Sequence, residues 1–238
     1  MFTPKAVIFD FFGTLVPNFS LTEHKAVLRE MAGLVGAPPE AFVKEWLATF
    51  TPRVTGQYPT VAANIEAICA VLGVPAEASA CARAVALRLD YSRQHLTPRT
   101  TAISTLRAIR GRGFKLGLIS DCSYELPTLW AETVFAERFE VAVFSCVAKV
   151  KKPHAAIYRQ AAEQLGVACT ECWFVGDGGS NELAGAQAVG MYPVQFYDEA
   201  EQGQDTHRVD GQGWTGRRIL DLAEVLPLLA AAPQPIVR

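Results

Sequence analysis

The sequence has no apolar stretch long enough to cross a bilayer and no run of Lys or Arg long enough to form a nucleic-acid-binding face. The net charge of the 238 residues is only −2. Residues 1–5 lead directly into an apolar run and show no signal-peptide pattern. These absences argue against a membrane protein, a secreted protein and a nucleic-acid-binding protein. We therefore expect a cytoplasmic protein.

Cysteine is scattered rather than paired. The six cysteines are spread through the chain, which is typical of reduced thiols and not of a disulfide framework. Cys169 and Cys172 have the spacing of half a zinc site, but no second Cys pair or nearby His pair supplies the other two ligands. The sequence thus favours packing roles for these thiols.

The hydrophobic residues, 50% of the chain, are concentrated in runs typical of an α/β protein. The runs that predict buried parallel strands are 6–10, 115–120, 141–145, 173–177 and 192–196. The helices predicted between and after them are 101–111, 126–136, 154–165, 181–189 and 218–230, followed by a loose tail at 233–238. This alternation predicts a doubly wound parallel sheet.

About a hundred residues separate the first two predicted strands, which is too many for one crossover. Their pattern is helical, with predicted helices at 21–35, 39–50, 60–72 and 76–95. We interpret residues 17–97 as an inserted α-helical cap domain. Residues 1–16 and 98–238 would then form the catalytic core, with hinges at 17–18 and 97–99.

Polar residues follow the predicted strands at the points where the strands end. They are Asp10, Ser120, Lys152, which precedes Pro153, and Asp177. An open α/β sheet binds its ligands beyond the carboxyl ends of its strands. The sequence therefore places these four side chains at one candidate site.

The segment from Asp10 to Thr14 resembles the first motif of the haloacid dehalogenase superfamily, whose common form is Asp-x-Asp-Gly-Thr. Ser120, Lys152 and Asp177 match the other three motifs in order and spacing. The chain is thus identified as a member of this superfamily with a helical (C1-type) cap, and a Rossmannoid core is expected. One residue departs from the first motif, because Phe12 replaces the second Asp.

The resemblance implies a Mg²⁺ site and a nucleophile. The metal would be held by Asp10, by the backbone carbonyl of Phe12 and by Asp177. Glu182 stands where the family usually has Asp and is included among the metal-site residues. Asp10 would also attack phosphorus and form an aspartyl phosphate.

The remaining motif residues are expected to bind and orient the phosphate. Lys152 and Ser120 would act with Asp10 as catalytic residues, by neutralising the phosphate and by binding its oxygens. Gly13, Thr14 and Asp121 would form the substrate-binding loops. Gly13 permits the turn, Thr14 holds the loop, and Asp121 contributes through its backbone N–H.

These roles predict a Mg²⁺-dependent phosphatase that acts on a small phosphorylated metabolite, as a monomer or homodimer. In family phosphatases the second Asp protonates the leaving alcohol, a role worth about two to four orders of magnitude in rate. Phe12 cannot do this. Either the natural leaving group is a good one, or the cap supplies an acid, for which Tyr58, Glu66 and His95 are candidates.

Two alternatives remain open. The family's 2-haloacid dehalogenases carry an aromatic residue at the position of Phe12 and need no metal, and Arg29 or Arg53 could bind the substrate carboxylate. Asp177 and Glu182 argue against this alternative, because carboxylates beside the nucleophile repel it unless a cation lies between them. The second alternative is a catalytically impaired binding or regulatory protein on the same scaffold.

Overall fold

The computed structural model describes residues 4–201 and 213–231, and the strands in that part of the chain form one six-stranded sheet. The strands are β1 (Ala6–Phe9), β2 (Lys115–Ser120), β3 (Val141–Phe144), β4 (Cys172–Gly176), β5 (Tyr192–Phe196) and β6 (Arg218–Ile219). Their order is β3-β2-β1-β4-β5-β6, and all neighbours are parallel. The predicted doubly wound parallel sheet is confirmed.

The register of the sheet brings the predicted site together. Phe9 at the end of β1 pairs with Leu118 of β2 and with Val175 of β4. The chain leaves β1 toward β2 on one side and returns to β4 on the other, so β1 lies where the strand order reverses. Ligands of doubly wound sheets bind in the crevice at that point, which is where Asp10 and Asp177 emerge.

Six helices lie between β1 and β2, and we call the first five of them the helical insert. These five are α1 (Leu21–Val35), α2 (Pro39–Ala48), α3 (Phe50–Val54), α4 (Val61–Val71) and α5 (Ala78–Gln94). The insert has its own buried apolar cluster, which includes Leu28, Phe42 and Trp46. Ser20 caps the start of α1 by accepting from the Glu23 N–H at 3.3 Å. The division of the chain at residues 17 and 97 into cap and core stays a prediction.

The helices after the insert cover both faces of the sheet. They are α6 (Ala102–Gly111), α7 (Glu125–Leu129), α8 (Ser145–Ala148), α9 (Ala155–Gln164), α10 (Glu182–Ala188) and α11 (Val225–Ala231). Val7 and Phe9 of β1 pack in the cluster that contains α6 and α11, while Ala6 and Ile8 pack in the cluster that contains α9 and α10. Alternate side chains of a strand point to opposite faces, so β1 is buried on both sides.

Three predicted helices differ from the structure. The helix predicted at 39–50 divides into α2 and α3 around Thr49. The helix predicted at 126–136 ends in a 3₁₀ turn at Trp130–Glu132, because Thr133 has an extended backbone and its hydroxyl donates to the Trp130 carbonyl at 2.8 Å. Neither break has a glycine to mark it in the sequence.

The helix predicted at 218–230 begins too early. Its first residues form β6, because the Tyr197 N–H of the chain after β5 donates to the Ile219 carbonyl at 2.9 Å. Asp221 then caps a 3₁₀ turn, Leu222–Glu224, that leads into α11. The predicted tail at 233–238 lies outside the described residues. None of the described helices is a candidate membrane span by length and hydropathy together.

Candidate active site

A cavity of about 1100 Å³, counted with its open mouth, lies between the carboxyl ends of the strands and the helical insert. The sheet side of its wall includes Asp10, Phe12, Asp121, Lys152, Asp177 and Glu182. The insert side includes His24, Arg53, Arg88, Tyr91 and His95. Six of the predicted site residues thus line one cavity, and they face side chains that no motif indicated.

Asp10 follows β1 directly and is held at both carboxylate oxygens. Its Oδ2 accepts from the Thr14 hydroxyl at 3.0 Å, and its Oδ1 accepts from the Lys152 ammonium. Only 5% of the residue is exposed. Burial raises the pKa of Asp10 to about 6, Lys152 opposes this rise, and the Asp177 charge adds to it.

Lys152 lies with three carboxylates, those of Asp10, Asp177 and Glu182, and we call these four residues the strand-end group. Lys152 is 2% exposed, and its ammonium donates to Asp10 and to Glu182 Oε2, the latter at 2.5 Å. Burial by itself lowers the pKa of Lys152, but the Asp10 and Glu182 carboxylates raise it by more, so the pKa lies well above its ordinary value. The neighbouring Lys151 lies 3.6 Å from Asp121 instead. The structure therefore places Lys152, and not Lys151, against the predicted nucleophile.

Glu182 begins α10 and is buried behind Lys152. Its second oxygen, Oε1, accepts from the Gly178 N–H at 2.9 Å, so both oxygens already have a partner. A Cβ on Gly176 would lie 2.1 Å from Oε1, so a larger residue there would displace the carboxylate. Burial, with the Asp10 charge second, raises the pKa of Glu182 well above its ordinary value.

Asp177 directly follows β4, the strand that pairs with β1. Its Oδ1 accepts from the Gly179 N–H at 2.8 Å, and its main-chain carbonyl accepts from the Gln195 amide at 3.2 Å. Gly13 has φ +79°, and a Cβ there would lie 2.6 Å from Asp177 Oδ2. Only glycine fits this turn, both for its backbone conformation and for its approach to the carboxylate.

Asp10, Asp177 and Glu182 are buried, and each offers one oxygen within 4.8 Å of the other two. Lys152 supplies one positive charge, so three ionised carboxylates leave a formal excess of two negative charges. Uncompensated buried charge is costly. Hard divalent cations take carboxylate and carbonyl oxygens as ligands. The group thus fits a divalent cation in both charge and ligand chemistry.

The Phe12 side chain lines the cavity and packs edge-on against Phe11 and Phe19, with ring centroids 5.1 Å and 6.2 Å away. It belongs to an aromatic surface that reaches into the insert. No carboxyl group stands at this position. The side chain therefore contributes apolar contact and no proton.

Three predicted residues support the site without lining the cavity. Thr14 binds Asp10, and Gly13 shapes the turn. Ser120 is fully buried, and its hydroxyl has no hydrogen-bond partner among the nitrogens and oxygens of the described residues. Burial raises the pKa of the nearby Cys122 thiol well above its ordinary value, and the Ser120 hydroxyl opposes this rise. Asp121 does line the cavity, and its carboxylate accepts from the Lys152 N–H at 3.0 Å.

The sequence suggested several residues as proton donors of the cap or as ligands for a substrate carboxylate, and the structure places some of them in the cavity and others outside it. His95 lines the cavity, whereas Tyr58 lines a smaller one beside it and Glu66 lines neither of these two. Arg53 lines the main cavity and is 6% exposed. Arg29 is paired with Glu40 at 2.7 Å on the surface.

Among the polar side chains that the insert contributes, the sequence reasoning missed His24, Arg88 and Tyr91. Arg88 is buried and donates to Glu125 of α7 at 2.7 Å, and it lies 3.1 Å from His24 Nδ1. One signal was available: Arg88, Tyr91 and His95 are spaced three and four residues apart, which places them on one face of α5. No motif named that face.

Comparisons with known proteins agree on the family. A family model described as haloacid dehalogenase-like hydrolase matches residues 4–190. A protein of Methanopyrus kandleri named glyceraldehyde 3-phosphate phosphatase is 28% identical over 233 residues, which cover 93% of this chain and 98% of the relative.

Solved structures show the same fold. A 2-haloacid dehalogenase from Pseudomonas syringae pv. Tomato DC3000 superposes with a TM-score of 0.72 at 20% identity, over 96% of this chain and 99% of the other. A HAD phosphatase from Thermococcus onnurineus superposes with a TM-score of 0.64 at 21% identity, over 96% and 99%. At these identities the likeness concerns the fold alone.

Proposed function

Because the chain belongs to the haloacid dehalogenase-like hydrolases, we propose that it is a Mg²⁺-dependent phosphatase acting on a small phosphorylated metabolite. The observation that carries this proposal is the buried group of Asp10, Asp177 and Glu182, among which the described part of the chain places one ammonium, that of Lys152. The Methanopyrus relative with a phosphatase name supports it. In a dehalogenase that needs no metal, this excess of negative charge would repel the nucleophile without a cation to offset it.

The cation would be held by Asp10, Asp177 and the main-chain carbonyl of Phe12. Glu182 would stand behind them, since both its oxygens already accept hydrogen bonds. When bound, Mg²⁺ supplies positive charge that offsets the repulsion between the Asp10 carboxylate and the phosphate. The replacement of Asp by Phe at position 12 leaves the carbonyl in place and so preserves this part of the site.

Asp10 is the proposed nucleophile. One carboxylate oxygen would attack phosphorus, the bond between phosphorus and the ester oxygen would break, and water would later hydrolyse the aspartyl phosphate. Lys152 keeps its charge at neutral pH, because its pKa is raised by Asp10 and Glu182, and it orients the nucleophile. Thr14 fixes the other oxygen of Asp10.

Phe12 restricts the departure of the leaving group. With no carboxyl group at this position, the ester oxygen must leave as an anion or take its proton from elsewhere. His95 is the one cap candidate of the three that lines the cavity, and its Nδ1 lies 2.8 Å from the Tyr91 carbonyl. We propose that aryl and acyl phosphates are better substrates than alkyl phosphates, and that residues 17–97 act as the substrate-selecting cap.

Hydrolysis of para-nitrophenyl phosphate, measured with and without Mg²⁺, tests the function. We expect turnover that depends on Mg²⁺, and in Asp10→Asn a loss of about a thousandfold or more. Asp90→Asn is the matched control, because Asp90 is exposed on α5 and its ion pair among the described residues is with Arg93.

Two results would contradict this function and favour one of the two alternatives. Halide release from 2-haloacids in the presence of EDTA would identify a dehalogenase. Absence of turnover of every phosphoester with every divalent metal would leave the binding or regulatory protein.

A further inference from the structure

The insert side of the cavity holds two buried guanidinium groups, which we call the arginine pair: Arg53 of α3 and Arg88 of α5. They are 6% and 7% exposed. Both lie against the indole ring of Trp46, with Cζ atoms 4.7 Å and 5.3 Å from the ring centroid. The aromatic face compensates part of the cost of burying them.

The two arginines differ in how well their donors are satisfied. Arg88 donates to Glu125 at 2.7 Å, and its Nη1 lies 3.1 Å from His24 Nδ1. Arg53 uses only Nη1, which donates to the Trp46 carbonyl and, at 2.7 Å, to Thr49 Oγ1. Within residues 4–201 and 213–231, Arg53 Nε has no acceptor and the guanidinium forms no ion pair.

The charge balance around the arginine pair is positive. Two guanidinium groups face one buried carboxylate, that of Glu125, which leaves a formal excess of one positive charge. Burial lowers the pKa of Arg53 to about 10; Glu125 opposes this and Arg88 adds to it. A buried cation with an unpaired N–H is costly unless an anion joins it.

This positive end is separate from the strand-end carboxylates. Arg53 lies on α3 and Arg88 on α5 of the insert, whereas Asp10 and Asp177 directly follow β1 and β4. The wall shared by the two ends is apolar and partly aromatic, and we call it the aromatic wall. It includes Phe12, Phe19, Phe50, Val54, Leu96 and Leu126.

We propose that the substrate is a phosphate monoester whose apolar organic part carries a carboxylate at the end remote from the phosphate, and that Arg53 binds this carboxylate. The inference rests on the proposed phosphatase function. The phosphate would lie at Asp10 and Lys152, the apolar part along the aromatic wall, and the carboxylate would complete the hydrogen bonds of Arg53 and balance its charge. Arg53 is thus a specificity-determining residue that touches the substrate.

A matched pair of esters tests the inference. They are para-(carboxymethyl)phenyl phosphate and para-(carbamoylmethyl)phenyl phosphate, which have almost the same shape and leaving group but differ in the distal charge. We expect the wild-type protein with Mg²⁺ to prefer the carboxylate in kcat/KM by about tenfold to a hundredfold, mostly through KM, because charge-assisted hydrogen bonds are the strong ones.

In Arg53→Gln the ratio of the two kcat/KM values should fall to about one, and in Arg53→Lys part of the preference should remain. Arg29→Gln is the matched control, since Arg29 pairs with Glu40 on the surface of the insert, and it should keep the wild-type ratio. The wild-type ratio alone decides the substrate class if Arg53→Gln does not fold.

Equal kcat/KM for the two esters in the wild-type protein would overturn the inference and leave the phosphatase function standing. A preference that survives in Arg53→Gln would overturn the role of Arg53. Failure to hydrolyse either ester while para-nitrophenyl phosphate is hydrolysed with Mg²⁺ would overturn this inference alone. Failure on every phosphoester, para-nitrophenyl phosphate included, would overturn the phosphatase function and this inference with it.

Discussion

The two ends of the cavity carry opposite formal charge and come from different parts of the fold. At the strand ends, Asp10, Asp177 and Glu182 surround one ammonium, that of Lys152. At the insert, the arginine pair faces the single carboxylate of Glu125. The first end therefore has an excess of negative charge, and the second has an excess of positive charge. A ligand that brings a divalent cation to one end and a carboxylate to the other would balance both.

The comparison also shows how each end is held. The strand-end groups are fixed by short backbone turns, as in the N–H groups of Gly178 and Gly179 that bind Glu182 and Asp177. The arginine pair is fixed by the ring of Trp46 and by a salt bridge that joins the insert to the sheet side. Under the proposed function, the chemistry would be carried by the strand ends and the substrate selectivity by the helices of the insert.

Lys152→Met tests the negative end with the largest expected effect. Removing the ammonium leaves Asp10 and Glu182 buried without a cation, which should lower the free energy of unfolding by about 3–5 kcal/mol. Phosphatase activity should also fall by about a thousandfold. Chemical denaturation without added metal, together with an assay on para-nitrophenyl phosphate, measures both.

Two variants sharpen this prediction. Lys151→Met, next in the chain, should change stability by less than about 1 kcal/mol, because Lys151 is partly exposed and lies 3.6 Å from Asp121. Arg53→Met should destabilise the protein less than Lys152→Met, since it removes the excess charge at its end, whereas Lys152→Met increases the excess at the other end. Equal losses in Lys152→Met and Arg53→Met would contradict the charge comparison.

Phe12→Asp places a proton donor between the two ends. We expect hydrolysis of alkyl phosphates to rise by about a hundredfold and that of para-nitrophenyl phosphate to change much less, because only poor leaving groups need an acid. Phe12→Leu, which removes the ring without adding an acid, should show no such gain. Unchanged alkyl phosphate hydrolysis in Phe12→Asp would indicate that the insert, through His95, already supplies the proton.

The smallest of the predicted effects is the pH dependence of the Mg²⁺ affinity. Protons and Mg²⁺ compete for Asp10, whose pKa is raised by burial to about 6. Below that pH the carboxyl is neutral in the metal-free protein and must lose its proton on binding. The dissociation constant should therefore rise about tenfold between pH 7 and pH 5. Titration calorimetry at the two pH values measures it, and a constant affinity would be the contrary result.

The negative end was predictable from the sequence because its residues follow local rules. Asp10 and Asp177 each end an apolar run, and parallel strands bring such ends to one edge of a sheet. Lys152 was distinguished from Lys151 by the proline that follows it, and the structure shows only Lys152 in contact with Asp10 and Glu182. The five strands predicted from apolar runs are all present.

Arg53 of the positive end was named from the sequence as a possible carboxylate ligand, but its association with Arg88 was not predictable, because it depends on how helices distant in the sequence pack together. Arg88 and Glu125 are 37 residues apart, and nothing local in either segment points to the other. β6 was missed for a related reason: two residues pair with β5 only because the sheet is already there, and their own pattern is helical. Tertiary packing decided both.

Binding of Mg²⁺ to the strand-end group tests the central claim most directly. Titration calorimetry at pH 7 should show that the wild-type protein binds one Mg²⁺ and that Asp177→Asn binds it at least about tenfold more weakly. Asp177 is the suitable position, because its substitution leaves the contacts of Lys152 with Asp10 and Glu182 in place. Wild-type protein that does not bind Mg²⁺, or Asp177→Asn that binds it with unchanged affinity, would contradict the account.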